Sequence, residues 1–541
     1  MNIMDVLMTQ AEERGDAVAL IESKEGETHG LTFAEIERAS ARAADMLSQA
    51  GLRAGDGVLV FQPMSSELYI ALLAVFRLRL VALFIDPWAG KNHLETCCRL
   101  FPPKALIATP KAHLLRLLSP ALRRIPVKFA TGSWVPGAER WDRWRDASVC
   151  AEIASCDPDT PALVTFTSGS TGEPKAATRT HGFLLAQHRV LARELGLAGD
   201  DISLSGLPIF VLCHLGAGVT SVIPDADLRR PGSVAPAPVV AQIRRHQVTT
   251  IEASPAFLER IAGYCGEHGI SLPHVRKIVT GGAPVFPRLL DELQDLAPGA
   301  EVVAVYGATE AEPMAQVARR AMTPEDLGAM VSGRGLLAGT PVQGLRLRII
   351  PDRWGAPVHF STAREFDAAC LGPGGIGEIV VSGEHVLPGY LNGRGNGETK
   401  FTVGDVIWHR TGDAGYLDGY GRLWLLGRCM ARIVDGRGVL YPLSVESAAC
   451  ANRAVRRAGC VSSEGRRILF VEREPRATRH DLNGLHARLS WALLDEIEVL
   501  RRIPVDRRHN AKIDYPALRR MVSSRMSPAE SRKPIPASRA S

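Results

Sequence analysis

The feature that most constrains the fold is a regular alternation of strand and helix patterns up to residue 305. Apolar residues recur at helical spacing over 33–50 and 66–77, and a compact β-branched run lies between them at 57–61. Similar β-type runs follow at 105–108, 164–167, 249–252, 277–280 and 302–305. Strands that alternate with helices pair in parallel, because each helix carries the chain back across the sheet. The sequence therefore predicts an α/β fold of several layers with parallel sheets.

Chain length and local texture predict more than one domain. At 541 residues the chain exceeds the roughly 250–300 residues at which a single core stops growing. Short strands with Gly-rich turns occupy about 340–426, and a later segment has a strand pattern at 467–471 and a helical pattern at 480–496. We predict an N-terminal domain over 1–428 with a β-rich subdomain at about 340–426. A small α+β domain follows over 429–522, and a disordered tail over 523–541.

The charge balance argues against a nucleic-acid partner. The chain carries 64 Lys and Arg and 58 Asp and Glu, a formal net charge of +6. Part of this excess lies in an Arg-rich stretch over 501–525, which has almost no aromatic residue beyond Tyr515. Nucleic-acid surfaces interleave cations with aromatic side chains. We therefore expect no nucleic-acid partner.

Cysteine spacing and the apolar runs indicate the cellular compartment of the protein and whether it spans a membrane. The ten cysteines form no C-x-x-C pair, and the N-terminus lacks a basic region followed by an apolar run. Both features are typical of a cytoplasmic protein. The most apolar stretch, 68–84, is interrupted by Arg77 and Arg79. We predict a buried helix and strand there, and no transmembrane segment.

A loop rich in glycine and hydroxyl groups is the first candidate site. Residues 164–175 read Val-Thr-Phe-Thr-Ser-Gly-Ser-Thr-Gly-Glu-Pro-Lys, a strand that runs into the loop and ends at Lys175. Phosphate binding needs accessible backbone N–H groups, hydroxyl donors and a cation, and this segment offers all three. The Walker spacing G-x-x-x-x-G-K-S/T is absent. From composition alone, an ordinary flexible turn is an equal alternative.

The exact residue order resembles a known signature. Thr-Ser-Gly-Ser-Thr-Gly-Glu-Pro-Lys is similar to the phosphate loop of the superfamily of acyl-CoA synthetases, peptide-synthetase adenylation domains and beetle luciferases. Further blocks resemble that superfamily in order and spacing: Gly-Gly-Ala-Pro at 281–284, Val-Tyr-Gly-Ala-Thr-Glu at 305–310, Arg-Thr-Gly-Asp-Ala-Gly-Tyr at 410–416, Gly-Arg-Leu-Trp-Leu-Leu-Gly-Arg at 421–428 and His-Asn-Ala-Lys-Ile at 509–513. The blocks span nearly the whole chain. The resemblance implies an adenylate-forming enzyme whose small domain is a mobile lid.

The resemblance also implies a reaction and its phosphate-handling residues. A carboxylic acid and ATP give acyl-AMP and pyrophosphate, with Mg²⁺ as cofactor. Glu310 and Thr171, or Thr309 in place of Thr171, would hold the metal, because a carboxylate with hydroxyl and water partners suits this hard ion. The loop over the phosphates would comprise Thr167, Ser168, Gly169, Ser170, Thr171, Gly172 and Lys175.

Other blocks imply a nucleoside pocket and a catalytic lysine. Asp413, with Arg428 nearby, would accept hydrogen bonds from the ribose hydroxyls. In the lid, Lys512 would reach the carboxylate and the α-phosphate, where a mobile charge favours the transition state. Catalysis would then depend on Lys512, Lys175, Thr171 and Glu310. The residues around adenine would be Gly281, Gly282, Ala283, Tyr306, Gly307 and Thr309.

Three positions depart from the superfamily pattern. Met430 lies near the hinge position, where an Asp or Lys is usual, so thioester formation with CoA is less strongly implied than adenylation. Ala176 replaces a glycine after Lys175. Val211 stands where many relatives place a histidine, and His214 comes three residues later. His214 is either part of the acyl pocket or an ordinary buried histidine.

The final acyl acceptor stays open at this point. Segments 223–231, 306–313 and 504–512 resemble a fatty-acyl-ligase-like branch that includes the β-lactone synthetases of bacterial olefin biosynthesis. Apolar segments at 209–219 and 253–258, which the superfamily uses near its acid pocket, favour a fatty or otherwise apolar acid over a charged one. The acceptor is then CoA, an acyl carrier protein, or the hydroxyl of the acid itself. A homologue that binds nucleotide without turnover is a further alternative, although Lys175, Glu310, Asp413 and Lys512 are all present. An RNA-modifying relative lacks support, since no basic domain is appended.

Overall fold

The computed structural model describes residues 1–24, 27–86, 90–149, 152–168, 174–478, 480–506 and 512–526. The first part of the chain forms a seven-stranded sheet of order β7-β6-β5-β3-β4-β8-β9, which is parallel except for the β8–β9 pair. Its elements, with two strands that join another sheet, are α1 Met4–Arg14, β1 Val18–Lys24, β2 Glu27–Thr32, α2 Phe33–Gln49, β3 Gly57–Phe61, α3 Ser66–Arg77, β4 Val81–Phe84, α4 Lys91–Leu100, β5 Pro103–Ala108, α5 Pro110–His113, α6 Leu115–Leu118, α7 Pro120–Arg124, β6 Val127–Ala130, β7 Glu139–Arg140, β8 Pro161–Ser168 and β9 Pro174–Thr180.

A second sheet begins with parallel strands. The order β14-β13-β12-β10-β11-β1 is parallel throughout, and β2 closes its edge antiparallel to β1. Helices between the strands cover this sheet. The elements are α8 His181–Leu195, β10 Ile202–Ser205, α9 Pro208–Ala217, β11 Thr220–Val222, α10 Pro236–Arg245, β12 Thr250–Ala253, α11 Pro255–His268, β13 Lys277–Gly281, α12 Pro287–Leu296, β14 Glu301–Ala308, β15 Ala311–Ala318 and α13 Pro324–Val331.

The same sheet continues as an antiparallel region. From β14 the order runs β15-β16-β21-β20-β18-β17, with β19 paired to β20. This is the region where short strands and Gly-rich turns predict antiparallel pairing. The elements are β16 Leu336–Pro341, β17 Arg346–Ile350, α14 Ala363–Ala369, β18 Gly377–Ser382, α15 Asn396–Thr399, β19 Lys400–Val403, β20 Val406–Leu417 and β21 Leu423–Arg428.

The residues from 429 onward, here called the lid, have a core of their own. A three-stranded sheet, β24-β25-β26, packs with α16 around Val445, Cys460 and Leu469. The lid rests on α12, where the Arg288 guanidinium donates to Glu474 and to the Arg453 carbonyl. The elements are β22 Ile433–Asp435, β23 Gly438–Leu440, α16 Pro442–Cys450, β24 Val455–Ser463, β25 Arg466–Arg473, α17 Leu485–Arg488, β26 Glu496–Leu500 and α18 Tyr515–Met526.

Two sequence-based expectations for the lid differ from the structure. The helix over 480–496 is wrong: only α17 and two short 3₁₀ turns form, and Glu496 begins a strand. Gly484 and Leu493 adopt left-handed backbone angles, with φ of 78° and 50°, which end each turn. In addition, α18 extends to Met526, four residues into the predicted tail, and residues beyond it lie outside the described part.

The expectation for the apolar stretch 68–84 is confirmed. It forms α3 and β4, and Arg77 lies fully buried against Glu37. No helix in the described ranges combines the length and apolarity that crossing a bilayer requires.

Candidate functional site

The candidate residues gather at the carboxyl ends of the parallel strands. Strands β13 and β14 lie side by side with Gly281 opposite Val305, so that Gly282 and Tyr306 follow at the same edge. A Cβ on Gly281 would lie 2.6 Å from the Val305 carbonyl oxygen, and Gly282 has a φ of 86°. Only small residues therefore fit where these strands end. Ligands bind at this edge in open α/β sheets.

One polar group is centred on Asp413, which β20 places beside β21. The Tyr306 hydroxyl donates to Asp413 Oδ2 at 2.8 Å, and Arg428 Nε lies 3.2 Å from Asp413 Oδ1. The Asp413 backbone N–H donates to the Thr411 hydroxyl. Burial raises the pKa of Tyr306 well above its ordinary value, and the Asp413 charge adds to the effect, so the phenol stays protonated. The structure thus joins Tyr306 to Asp413 and Arg428, which lie more than a hundred positions later in the sequence.

A second polar group surrounds Glu310, directly after β14. The Tyr390 hydroxyl donates to Glu310 Oε1 at 2.6 Å, and the Leu387 N–H donates to the Glu310 carbonyl. Burial works against the charged carboxylate, but the Tyr390 hydrogen bond and the Lys400 charge help to bring the pKa of Glu310 below its ordinary value. Glu310 is therefore a held, charged carboxylate.

Burial dominates the titration of the two basic neighbours of Glu310. It lowers the pKa of Lys400 to about 7 and that of His409 to about 3, so His409 is neutral at neutral pH. His409 Nδ1 lies 3.1 Å from the Thr399 carbonyl, and the Lys400 ammonium donates to the Leu387 carbonyl. Charge near Glu310 therefore depends on Lys400 rather than on the histidine.

Lys175 lies close to the same group, on β9. Its ammonium donates to Glu398 Oε2 at 2.7 Å and lies 5.8 Å from the centre of the Tyr390 ring. A Cβ on Gly395 would come within 2.7 Å of Lys175 Cδ, so the glycine leaves room for the lysine stem. Lys175 thus reaches the site from the hairpin formed by β8 and β9.

The centre of the predicted phosphate loop lies outside the described residues. This applies to Gly169, Ser170, Thr171 and Gly172, and the side chains of Thr167 and Ser168 are likewise not described. The hairpin that carries the loop is described, with Thr167 opposite Lys175. The loop therefore begins and ends beside Lys175.

A third polar group joins the lid to the large domain. Glu312, on β15, is half-buried, and burial raises its pKa, while the charges of Arg179 and Lys512 act in the opposite direction. Arg179 donates to the Thr165 hydroxyl at 3.0 Å and to the Thr309 carbonyl at 2.9 Å. Lys512 therefore lies near enough to the large domain to act on a carboxylate two residues after Glu310.

Within the lid, the backbone of Lys512 pairs with Asp506. The Lys512 N–H donates to Asp506 Oδ1 at 3.0 Å, and its carbonyl accepts from the Asp506 N–H. Val505 and Ile513 form a β-bridge beside it. The two hydrogen bonds with Asp506 therefore fix the direction of the Lys512 backbone.

Met430, which the sequence pattern places near the hinge, has an exposed side chain. On either side of the hinge, Asp352 of the large domain accepts from Arg432 and from the Tyr441 hydroxyl, each at 2.8 Å. Both partners belong to the lid. Asp352 therefore ties the start of the lid to the large domain.

His214 lies away from these three groups. It is fully buried, with Nδ1 2.9 Å from the Ser221 hydroxyl and Nε2 3.7 Å from Glu252 Oε1. Ser203 donates to the other oxygen of Glu252. These contacts are those of a buried histidine in a polar cluster under α9, and a role in the acyl pocket stays a prediction.

Several residues at the site carry no sequence signal that singled them out. Lys400, Tyr390 and His409 come from the antiparallel region and reach Glu310 only through the tertiary fold, as Glu398 reaches Lys175. Glu312 and Arg179 each lie within a few residues of a predicted site residue, and that proximity was the available signal. Among the described residues, no three or more His, Cys, Asp or Glu side chains cluster as a ready-made metal site.

Comparison with known proteins gives a family model and close relatives. The model described as AMP-binding enzyme matches residues 7–391. The olefin beta-lactone synthetase of Stenotrophomonas maltophilia (strain K279a) is 30% identical, over 95% of this chain and 96% of the relative. The 2-succinylbenzoate–CoA ligase of Bacillus subtilis (strain 168) is 28% identical, over 85% of each chain.

A solved structure supports the fold. The crystal structure of an anthranilate CoA ligase in complex with anthranoyl-AMP superposes with a TM-score of 0.81 at 17% identity, covering 97% of this chain and 98% of that one. Two chains that agree over their full length share the large layered domain and the small C-terminal domain. The predicted α/β fold class is confirmed.

Proposed function

Because the chain belongs to the family of AMP-binding enzymes, we propose that it joins a carboxylic acid to the AMP portion of ATP and releases pyrophosphate. The observation that carries this proposal is the position of Lys512. The charge of Lys512, a lysine of the lid, acts on Glu312, two residues after Glu310. A cation there would favour the approach of two anionic reactants.

The nucleoside would bind between β13 and the Asp413 group. Gly281, Gly282 and Ala283 would border a flat base, with open space around Gly282, and Tyr306 follows at the end of the next strand. Asp413 keeps lone pairs for ribose hydroxyls, because each carboxylate oxygen accepts more than one hydrogen bond. Arg428 and Tyr306 hold the carboxylate in one orientation. Gly307 and Thr309, which follow Tyr306 in the chain, would also border the nucleotide.

The phosphates would lie over the β8–β9 loop, with Lys175 as their first cation. Its present partner Glu398 marks an anion position beside the loop. Glu310 and Thr171 would hold Mg²⁺, and a single held carboxylate fits, since this ion takes one or two carboxylates together with substrate phosphates. When bound, the ion would offset phosphate charge.

The reaction needs no proton transfer at the acid. A carboxylate oxygen forms a bond to the α-phosphorus, and the bond from that phosphorus to the pyrophosphate oxygen breaks. Negative charge crowds around the α-phosphate as the two anions meet, and Lys512 and Lys175 would stabilise that arrangement. The large domain would orient the nucleotide, while the lid excludes water and supplies the cation.

The surroundings favour an apolar acid. An apolar cavity lies between α1, α3, α8 and α9, with Leu184, Leu191, Ile209 and Leu212 in its walls. Gln187 belongs to the same lining and donates to the Glu312 carbonyl, so the cavity adjoins the polar site. A fatty or β-hydroxy fatty acid has the chemistry that both regions require.

The acyl group would next pass to an acceptor, and two routes differ in chemistry. Transfer to CoA or an acyl carrier protein forms a thioester. Alternatively, a β-hydroxy acid attacks its own acyl-AMP to form a β-lactone without CoA, as the name of the Stenotrophomonas maltophilia relative suggests for that protein. That relative matches a larger share of this chain than the CoA ligase does, which favours the second route as an alternative worth testing.

Pyrophosphate release from MgATP tests the proposal. The assay uses a panel of fatty, β-hydroxy fatty and aromatic acids, each with and without CoA. We expect one acid class to drive release. A CoA requirement then indicates thioester formation, and a lactone product without CoA indicates cyclisation. Tight ATP binding without release for every acid would instead support a homologue that only binds nucleotide.

The Asp413→Asn variant tests the ribose contact. An amide keeps the shape but loses the negative charge that Arg428 faces and one acceptor position, so we expect ATP to bind about 10- to 100-fold more weakly. Titration calorimetry measures the dissociation constant. The matched control is Asp405→Asn, a change at an exposed carboxylate between β19 and β20. Equal affinities for the two variants would remove Asp413 from the site.

A further inference from the structure

An exposed apolar patch lies beside the seven-stranded sheet, far along the chain from every motif of the site. Leu114, Leu117 and Leu118 expose 61%, 75% and 65% of their surface, and Trp134 exposes 70%. Single exposed leucines are ordinary, but three within five residues together with a tryptophan are a contiguous feature. We call these four residues the apolar patch.

One hydrogen bond brings the loop of Trp134 to the helix that carries Leu117 and Leu118. Arg116 donates to the Pro136 carbonyl at 3.0 Å, which ties α5 and α6 to the loop that carries Trp134. His113, which is buried, contacts the Phe129 carbonyl of β6 at 3.0 Å. Leu115 packs inward against the core that contains Leu122. The helices therefore turn one side to the core and the leucines of the patch to solvent.

The surroundings of the patch are strongly basic. Residues 96–138 contain no Asp or Glu and seven cations, which are Arg99, Lys104, Lys111, Arg116, Arg123, Arg124 and Lys128. None of the seven forms an ion pair with a carboxylate in the parts of the chain that the structure describes. The preceding carboxylate, Glu95, accepts hydrogen bonds from the Ser119 hydroxyl and the Ala121 N–H. The cations therefore outnumber the nearby carboxylate of Glu95, whose charge interacts with Arg124.

We propose that this face docks on the surface of an anionic lipid bilayer. Leucine and tryptophan side chains partition into the interfacial region, and lysine and arginine place their charges among anionic headgroups. Neither contribution alone holds a protein firmly, but their combination does. Docking of this kind is peripheral and requires no spanning helix.

Charge disfavours a second copy of the chain as the partner. A symmetric dimer brings the same surface of each copy together, so each set of cations would face another. A bilayer with anionic lipids offers the opposite sign. Docking would also place the enzyme where apolar acids concentrate, although the proposal does not depend on the reaction.

Vesicle sedimentation of the full chain tests the proposal. The probes are vesicles of phosphatidylcholine alone and of phosphatidylcholine with about one third phosphatidylglycerol, at low and high salt, since salt screens exposed charges. We expect sedimentation with the anionic vesicles that weakens as salt rises. Leu117→Ser/Leu118→Ser and Lys111→Glu/Arg123→Glu should each reduce the partition coefficient at least about tenfold. All of these side chains are exposed, so melting temperatures should match the native chain.

The matched control is Tyr420→Ser, which removes an aromatic side chain that is 88% exposed on another surface. Its partition coefficient should equal that of the native chain. Absence of sedimentation with anionic vesicles at low salt would overturn the proposal, as would equal losses in the control. Sedimentation velocity supplies the remaining outcome: a dimer that disappears in Leu117→Ser/Leu118→Ser would identify the face as an interface between copies instead.

Discussion

Replacing Lys512 by alanine is expected to lower the rate of acid-dependent pyrophosphate release by about 100- to 1,000-fold, the usual effect of removing one preorganised charge from a transition state. Lys512 acts on Glu312 from across the domain boundary, so its ammonium would sit beside the reacting carboxylate and phosphate. Its stabilisation is greatest when negative charge is most crowded. The loss should therefore fall on the rate rather than on ATP affinity.

The measurement is single-turnover release together with a calorimetric ATP titration. Lys277→Ala is the matched control, because Lys277 lies at the opposite end of β13 and pairs with Glu301. Native rates in the control and a collapsed rate in Lys512→Ala support the assignment. A Lys512→Ala enzyme within about threefold of the native rate would show that stabilisation comes from other groups.

The second large effect is on stability, at the pair formed by Glu378 and Arg410. Both side chains are almost completely buried, and Arg410 donates to both carboxylate oxygens of Glu378. Arginine stays charged when its partner is removed. Glu378→Leu therefore leaves a buried, unpaired cation, and we expect the free energy of unfolding of the large domain to fall by about 3–5 kcal/mol.

Urea unfolding followed by tryptophan fluorescence measures this loss, and Trp354 stacks 5.3 Å from the Arg410 guanidinium. The double change Glu378→Leu/Arg410→Met removes both charges and should recover much of the stability. Arg189→Ala breaks an exposed pair with Glu384 and should change the free energy by less than about 1 kcal/mol. Equal effects of the buried and exposed changes would contradict the argument.

Local patterns in the sequence predicted the framework well. Strand–helix alternation identified β3, α3 and the parallel strands β12, β13 and β14. These patterns depend on burial that repeats along each element, which the sequence records directly. The motif resemblance to adenylate-forming enzymes is confirmed by the family match and by the relatives.

Two kinds of prediction were harder. The helix predicted over 480–496 was wrong because Gly484 forms a turn within it. The left-handed conformation of Leu493 depends on the packing of the lid, so the local sequence pattern does not predict it. The partners of Glu310 could not be inferred either, because Tyr390 and Lys400 approach it through folding rather than through spacing. The individual site roles, the metal, the acyl acceptor and the cytoplasmic location stay predictions.

The ion pair between Lys175 and Glu398 would compete with any anion that Lys175 binds. Glu398 Oε2 accepts from the Lys175 ammonium at 2.7 Å. The Glu398 backbone carbonyl accepts from Arg410, so Glu398 is fixed in place. An incoming anion would have to displace the Glu398 carboxylate from Lys175. A singly charged anion would replace one carboxylate contact with a similar contact and gain little free energy. A polyphosphate carries several charges and would gain more from the same exchange. The ion pair would therefore lower the affinity of Lys175 for every anion, and most for anions that carry a single charge.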